Sequence, residues 1–338
     1  MNKSKDKVVF SGVQPSGNLH IGNYLGAIKN FVSMQNEYDC LFCVVDLHAI
    51  TAKQDPIALN HNAYEVVATY LASGIDPNKS IIFNQSNVSC HAELSWVLNC
   101  VCRMGWLNRM TQFKEKAGHD KENASSGLFS YPTLMAADIL SYKATHVPVG
   151  NDQKQHLELT RDIAQKFNND FQAEDFFPLP EPFIEQDISR IMSLRDGSQK
   201  MSKSDESDYS RIILTDDKDM IIKKIKKAKT ADIVMPEIEN DIKNLPEVNN
   251  LLNIFSGVSQ KSKEELINIY KGKNFSTFKK DLSDVLVDMV LPIGVEINKL
   301  MDDKKYLDSI IKTGSEKAYQ RAKMTLDEVY DIIGFIKK

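Results

Sequence analysis

No stretch of the sequence approaches the ~18 uninterrupted apolar residues that a membrane-spanning helix needs, and the N-terminal MNKSKDKVVFSGV lacks the apolar core of a secretory signal. The expected compartment is the cytoplasm. Cysteine is scarce and odd in number, five in 338 residues, which suits buried thiols in a reducing interior rather than a disulfide framework. Cys40 and Cys43 form a C-x-x-C inside CLFCVV. Residues three apart on a strand point to opposite faces, and the second ligand pair that zinc spacing requires is missing here, as it is for Cys100 and Cys102. A large charge excess is missing too. Forty-two Lys and Arg against 46 Asp and Glu leave a formal net charge of −4, which argues against a protein that coats nucleic acid non-specifically and still allows a local basic face. There is no internal repeat and no low-complexity segment.

What is present reads as an ordinary globular chain, 42% hydrophobic and 26% charged, able to bury a core without disulfides or metals. Its length suggests two packed units. The first half alternates short apolar runs with helical patterns, which predicts βαβ units on a parallel sheet. The strand candidates are KVVF at 7–10, CLFCVV at 40–45, SIIF at 80–83 and THVPV ending at Val149, each rich in β-branched or bulky apolar residues. Between them, Leu25, Ile28 and Val32 follow Tyr24 at i, i+3, i+7. Asp55 and Pro56 open a second helix with a cap and an N1 proline, and Gly74 stops it. Leu159, Ile163 and Phe167 recur every four residues after the fourth strand. The expected fold is therefore α/β, a doubly wound parallel sheet of Rossmann type.

The character changes after FFPLPEPF at 176–183, and from about residue 211 helical patterns dominate. The expected division is a first domain over 1–190, a junction loop over 191–210, an all-helical domain over 211–310 and a terminal helix over 311–338 that has the first domain as one place to pack. KEKAGHDKENASSG at 114–127 reads as a mobile loop. Lys218, Lys223, Lys224, Lys226, Lys227 and Lys229 crowd the first helix of the second unit, as a solvated face or as a phosphate-binding one.

Two stretches carry chemistry. The first, QPSGNLHIGN at 14–23, lies between the first strand and the first helix. That is the carboxyl edge of the sheet, where open α/β folds bind ligands and where a helix N-terminus offers free N–H groups to phosphate. Gly17 and Gly22 let a base or phosphate approach the backbone, and His20 can donate to phosphate oxygens. It is neither a Walker loop nor a G-x-G-x-x-G fingerprint, and by itself it reads equally as a glycine-containing strand–helix turn. The second, KMSKS at 200–204, sets two lysines among hydroxyls on a polar loop at the junction. Such a loop can close over a polyphosphate and bring ammonium groups to charge that develops during nucleotidyl transfer.

In this order the two stretches resemble the HIGH and KMSKS signatures of class I aminoacyl-tRNA synthetases, with Asn23 in place of the second histidine, a variant common in the tryptophan branch. Four further blocks make the resemblance to bacterial-type tryptophanyl-tRNA synthetases extend from about Val8 to the last helix: DLHAIT at 46–51, RMTQFK at 109–114, YPTLMAADIL at 131–140 and VPVGNDQKQH at 147–156. On a helix Met135 and Asp138 share a face, so an apolar wall and a carboxylate can line one cavity.

The resemblance implies that Asp138 accepts the indole N–H of L-tryptophan, that Phe10, Gly12, Met135 and Val149 line the indole slot, and that Tyr131 and Gln153 hold the substrate ammonium and carboxylate. His48 reads either as a packed histidine or as part of the pocket. The resemblance places ATP against Gln14, Pro15, Ser16, Gly22, Asn23, Gly150, Asn151, Asp152, Ile191, Lys200, Met201, Ser202, Lys203 and Ser204. Asn151 departs from the glutamate of many relatives. Catalysis would rest on His20, Lys200, Lys203 and Mg2+ carried by ATP, all neutralising phosphate charge, with no protein metal site. Implied partners are tRNA(Trp), read by the helical domain, and a second subunit in a homodimer; Arg109, Lys114 and Lys116 are candidates near the acceptor end or the subunit interface. The alternatives are a tyrosyl-tRNA synthetase, against which the LMAAD and GNDQKQH blocks speak, another nucleotidyltransferase, and a tryptophan- or RNA-binding paralogue that charges no tRNA.

Overall fold

The structure, a computed structural model, describes residues 7–113, 124–150, 153–183, 190–203, 205–230 and 234–336. Five parallel strands, β1 (Val8–Val13), β2 (Asp39–Val44), β3 (Ile81–Asn84), β4 (His146–Pro148) and β5 (Glu181–Phe183), form one sheet in the order β3-β2-β1-β4-β5. The chain winds outward from β1 to β3 and then crosses back to the other side of β1. The direction of winding reverses between β1 and β4, and the crevice at their carboxyl ends is where such sheets bind ligands. Four strands lie where the apolar runs predict them. The fifth falls inside the proline-rich stretch read as a boundary. Pro182 pairs with Val147 there because an edge strand tolerates a residue without an N–H.

The helices that position the site are α1 (three consecutive stretches, Ile21–Asn23, π-helical Tyr24–Ile28 and Lys29–Met34), α2 (Pro56–Ala72), α3 (Cys90–Val101), α4 (Ser126–Leu140) and α5 (Lys154–Asp170). Asp55 caps α2 by accepting from the Ala58 N–H, and Gly74 follows its end at φ +101°. The first helix departs from expectation twice. It opens at His20, not at Tyr24, and its π-helical turn holds an extra residue. That turn shifts the buried stripe so that Phe31 enters the core and Val32 is only partly covered.

Beyond the junction the described chain is helical: α6 (Lys218–Lys227), short helices Glu239–Ile242 and Lys263–Tyr270, α7 (Pro246–Ser259), α8 (Phe275–Asp302) and α9 (Lys304–Ile333). None of the described helices is long and apolar enough to cross a membrane.

Strand alternation splits the core by sheet face. Val9, Cys40, Phe42 and Val44 point into one cluster, and Phe10, Leu41, Cys43 and Val45 into the other. Cys40 and Cys43 thus lie on opposite faces. The first cluster takes in α1 and α2, passes through Ile191, Met201, Ile212 and Leu214 and continues among α6, α7 and α8. The second is made by α3, α4, α5 and the far half of α9. The last helix therefore reaches both. It covers β3 so closely that a Cβ on Gly314 would stand 1.7 Å from the Ile82 carbonyl oxygen. Arg321 pairs with Asp39 at 2.8 Å, Lys143 with Glu328 at 2.6 Å, and the Tyr330 hydroxyl donates to Glu93 at 3.0 Å.

Candidate active site

Between the ends of β1 and β4 and the flank of α4 lies a cavity of about 300 Å³, lined by Phe10, Ser11, Gly12, Gln14, Val45, His48, Gln112, Tyr131, Met135, Asp138, Ile139, Val147, Pro148, Val149 and Gln153. Helical spacing brings Tyr131, Met135 and Asp138 onto one face of α4. A glycine is needed at position 12 because a Cβ there would meet Val45 Cγ1 at 2.7 Å. Asp138 is 1% exposed. Its Oδ1 accepts from Gln85 Nε2 and His91 Nδ1, both at 2.6 Å, and its Oδ2 from His48 Nε2 at 2.6 Å. A carboxylate offers about four lone-pair directions, so among the described residues one on Oδ2 stays open. Burial by itself would raise the Asp138 pKa; the charge interaction and hydrogen bond with His48, then those with His91, outweigh it and hold the carboxyl below its ordinary value. His91 Nε2 meets the Tyr142 hydroxyl at 2.7 Å. Ionised Asp138 accepts from the His91 Nδ1–H, and burial keeps the Tyr142 hydroxyl protonated. The Tyr131 hydroxyl donates to Gln112 Oε1 and meets His156 Nε2, both at 2.8 Å.

The second half of the site is built from the 14–23 and 200–203 stretches. Gly17 and Asn18 take φ +66° and +49°, and a Cβ on Gly17 would meet Asn62 Oδ1 at 2.8 Å. His20 Nδ1 accepts the Gly22 N–H, and Asn23 Oδ1 accepts the His20 N–H, both at 3.1 Å. Together they form a capping box in which His and Asn replace the usual hydroxyl and carboxylate. A side chain at Gly22 would press on His20 Nδ1 at 2.9 Å. The lysine loop is a hairpin-like turn, with Ser193 N donating to Gln199 O at 2.8 Å and Met201 N to Ile191 O at 3.2 Å. Met201 is buried, and Lys203 Nζ reaches Ser16 Oγ at 2.9 Å. Two stretches 187 residues apart thus meet.

Burial, then Lys203, Arg211 and Lys200, push the His20 pKa down to about 3. In this arrangement His20 is held neutral and can donate through Nε2–H. Burial also lowers Lys203 to about 8, against the pull of Glu65.

An open acceptor at the wall of this cavity, next to paired backbone and lysine loops, suits an aromatic N–H ligand beside a nucleotide. The sequence model of the family described as "tRNA synthetases class I (W and Y)" matches residues 2–290. The chain belongs to this family. It is 53% identical to the tryptophan–tRNA ligase of Rhizobium meliloti over 100% of both chains. With that of Caulobacter vibrioides it shares 56% identity, covering 97% of this chain and 95% of the relative. The tryptophanyl-tRNA synthetase of Campylobacter jejuni, crystallised with ADP and tryptophan, superposes with a TM-score of 0.82 at 34% identity, over 97% of this chain and 100% of that one.

For a class I synthetase of this kind, the expected pocket residues Phe10, Gly12, His48, Tyr131, Met135, Asp138, Val149 and Gln153 all line the one cavity. Gln14 lines it too, from the nucleotide side. Ser16, His20, Gly22, Asn23, Ile191, Met201 and Lys203 gather at the other half. Asn151, Asp152, Ser204, Lys114 and Lys116 lie outside the described residues, as do 114–123 of the expected loop; the remainder of that stretch holds Ser125, which caps α4 by accepting from Leu128 N. Sequence reasoning missed Gln85 and His91, which hold Asp138, Tyr142, which holds His91, and Gln112, which holds Tyr131. Gln85 and His91 follow β3 and carry no periodic signal toward α4; only the crossover brings them there. The lysine run is also not one face. Lys224 is fully buried between Asp208 and Asp216, Lys223 and Lys227 lie over the Tyr209 ring, and Lys229 pairs with Glu247 at 2.7 Å.

Proposed function

We infer that the chain is a tryptophan–tRNA ligase, which activates L-tryptophan with ATP to tryptophanyl-adenylate and pyrophosphate and then transfers tryptophan to tRNA(Trp). The observation that carries this reading is the single open acceptor of Asp138 at the wall of an apolar cavity beside the Lys203–Ser16 contact. A site with a buried acceptor binds a ring N–H and leaves an unpaired carboxylate with any ring that lacks it, which is the arrangement that gives strong discrimination.

The indole lies in the cavity with its N–H on Asp138 Oδ2. Tyr131 and Gln153 hold the ammonium and carboxylate. The carboxylate oxygen attacks the α-phosphorus of ATP in line, forming a new O–P bond as the bond from that phosphorus to the bridging oxygen of pyrophosphate breaks. Lys200 and Lys203 face the growing phosphate charge, His20 donates from Nε2, and the backbone at 14–17 and Gly22 lets the nucleotide lie close. Asn23, Gly150, Asn151, Asp152, Ile191, Met201, Ser202 and Ser204 complete the nucleotide contacts. Mg2+ is assigned to ATP, where it would add neutralising charge. The terminal ribose hydroxyl of the tRNA then attacks the acyl carbonyl and releases AMP.

The same reading divides the chain into a catalytic domain over 1–190, the KMSKS loop over 191–210, a helical anticodon-binding domain over 211–310 and the C-terminal helix over 311–338. It includes a homodimer. The compartment is the cytoplasm, where tRNA is charged.

Amino-acid-dependent ATP–pyrophosphate exchange with tryptophan, tyrosine and phenylalanine in parallel tests it. Exchange with tryptophan alone is the expected result. Exchange with tyrosine would overturn the Asp138 assignment, and none with any of the three would leave a binding paralogue.

A further inference from the structure

We propose that Lys224 is a positioning residue for the ATP site, clamping the segment between the lysine loop and the HIGH-like stretch, rather than a contact for nucleic acid. The lysine-rich pattern of α6 offers Lys224 to solvent, yet its side chain is 0% exposed. A fully buried ammonium persists only with ionic partners, and it has two: Asp216 Oδ2 at 2.7 Å and Asp208 Oδ2 at 2.9 Å. Each partner leads to one end of the same segment. Asp216 Oδ2 also accepts the Ile213 N–H at 2.9 Å. Residues 212–214 run antiparallel to the HIGH-like stretch: Ile21 N donates to Ile212 O at 2.9 Å, Leu214 N donates to Leu19 O at 2.8 Å, and Ile213 pairs with His20. Asp208 lies 3.6 Å from Arg211 Nη2, and Arg211 Nη1 donates at 2.9 Å to the carbonyl of Asp205, the residue that follows the lysine loop. One ammonium therefore ties α6 to the backbone that pairs with His20 and to the exit of the loop that carries Lys203.

The consequence is selective. Lys203 reaches Ser16 only if the two stretches keep their separation, and displacement of such groups by about 1 Å costs about 10²-fold in rate. Ile212 and Leu214 of the clamped segment belong to the core cluster that does not contain the tryptophan cavity wall. Loss of the clamp should disturb ATP and spare tryptophan.

This inference rests on the assignment of 14–23 and 200–203 to ATP, so the test carries Lys203→Ala as a control. Pyrophosphate exchange on the full-length protein gives kcat and KM for ATP and for tryptophan, and calorimetry gives tryptophan affinity. Lys224→Met is expected to lower kcat/KM for ATP by about tenfold or more, with tryptophan affinity within about twofold of the parent. Lys224→Arg, which can reach both carboxylates, should recover most of the loss. Should Lys224→Met fail to fold, Asp208→Asn decides: its half-exposed partner leaves the fold intact, and a loss of about threefold or more in ATP kcat/KM alone is expected. Unchanged ATP kinetics in the folded Lys224→Met, or in Asp208→Asn where Lys224→Met does not fold, would overturn the proposal, and so would an equal loss of tryptophan affinity. If Lys203→Ala itself leaves ATP kinetics intact, the site assignment fails first; if Lys203→Ala collapses them and the clamp variants do not, only the clamp is wrong.

Discussion

The two halves of the site are built in opposite ways. The tryptophan cavity sits on one sheet face, its polar group a carboxylate held by three side-chain donors inside a closed core. The half we assign to the nucleotide sits on the other face, made of backbone turns and the lysine loop, where burial lowers the pKa of Lys203, and its core runs without interruption into the helical half. The first is fixed by neighbours on adjoining elements. The second depends on segments far apart in the chain staying in register, which is what a site that opens for ATP and closes around it requires.

The strongest way to break that separation is Asp138→Ala. It leaves Gln85, His48 and His91 without their buried acceptor, at ~1–3 kcal/mol each, and removes the indole partner. Exchange kinetics should show tryptophan kcat/KM lower by ~10³-fold or more while the ATP KM holds. An equal change in both would mean the halves are one unit. Next is Lys203→Ala, expected to cut kcat by about 10²-fold or more with tryptophan binding by calorimetry intact.

His91→Leu sharpens the comparison inside the cavity. It removes one donor and breaks the Tyr142 chain, so tryptophan kcat/KM should fall by about 10-fold to 100-fold. The Asp138 pKa, held low by His48 and His91, should rise, moving the acid limb of tryptophan binding to higher pH. A pH titration of affinity that leaves this limb in place would remove His91 from the mechanism.

The smallest effect is the pH response of the nucleotide half. Lys203 titrates at about 8, so kcat/KM for ATP should decline by about several-fold as pH rises past 8 and its charge is lost, and Lys203→Arg should flatten that limb. The sign on stability is opposite. Because the folded pKa lies below the ordinary lysine value of 10.5, the unfolded chain binds more protons between about 8 and 10.5, and this lysine's contribution to stability rises with pH across that window. His20, pushed to about 3, should add no limb near neutrality.

Most of the fold was legible because local patterns were strong. Alternation in CLFCVV foretells that Cys40 and Cys43 face apart, and Asp55-Pro56 foretells the start of α2. The cavity was legible where its residues share one helix, as Met135 and Asp138 do. Legibility ended where a side chain's role depends on a different element. Lys224 has the same local setting as Lys223 and Lys226, yet it is buried between two aspartates supplied by a loop. Pro182 argued against a strand that the open edge of the sheet accepts.

Periodicity, caps and turn chemistry act over a few residues, so the order of residues was enough to set four of the five strands, the start of α2 and the two loops we assign to the nucleotide. Which donors surround Asp138, that His20 is neutral, and that Lys203 meets Ser16 were decided only when the crossover and the helical half closed on the sheet. Burial and charge proximity act through space, and only the packed chain brings those groups together.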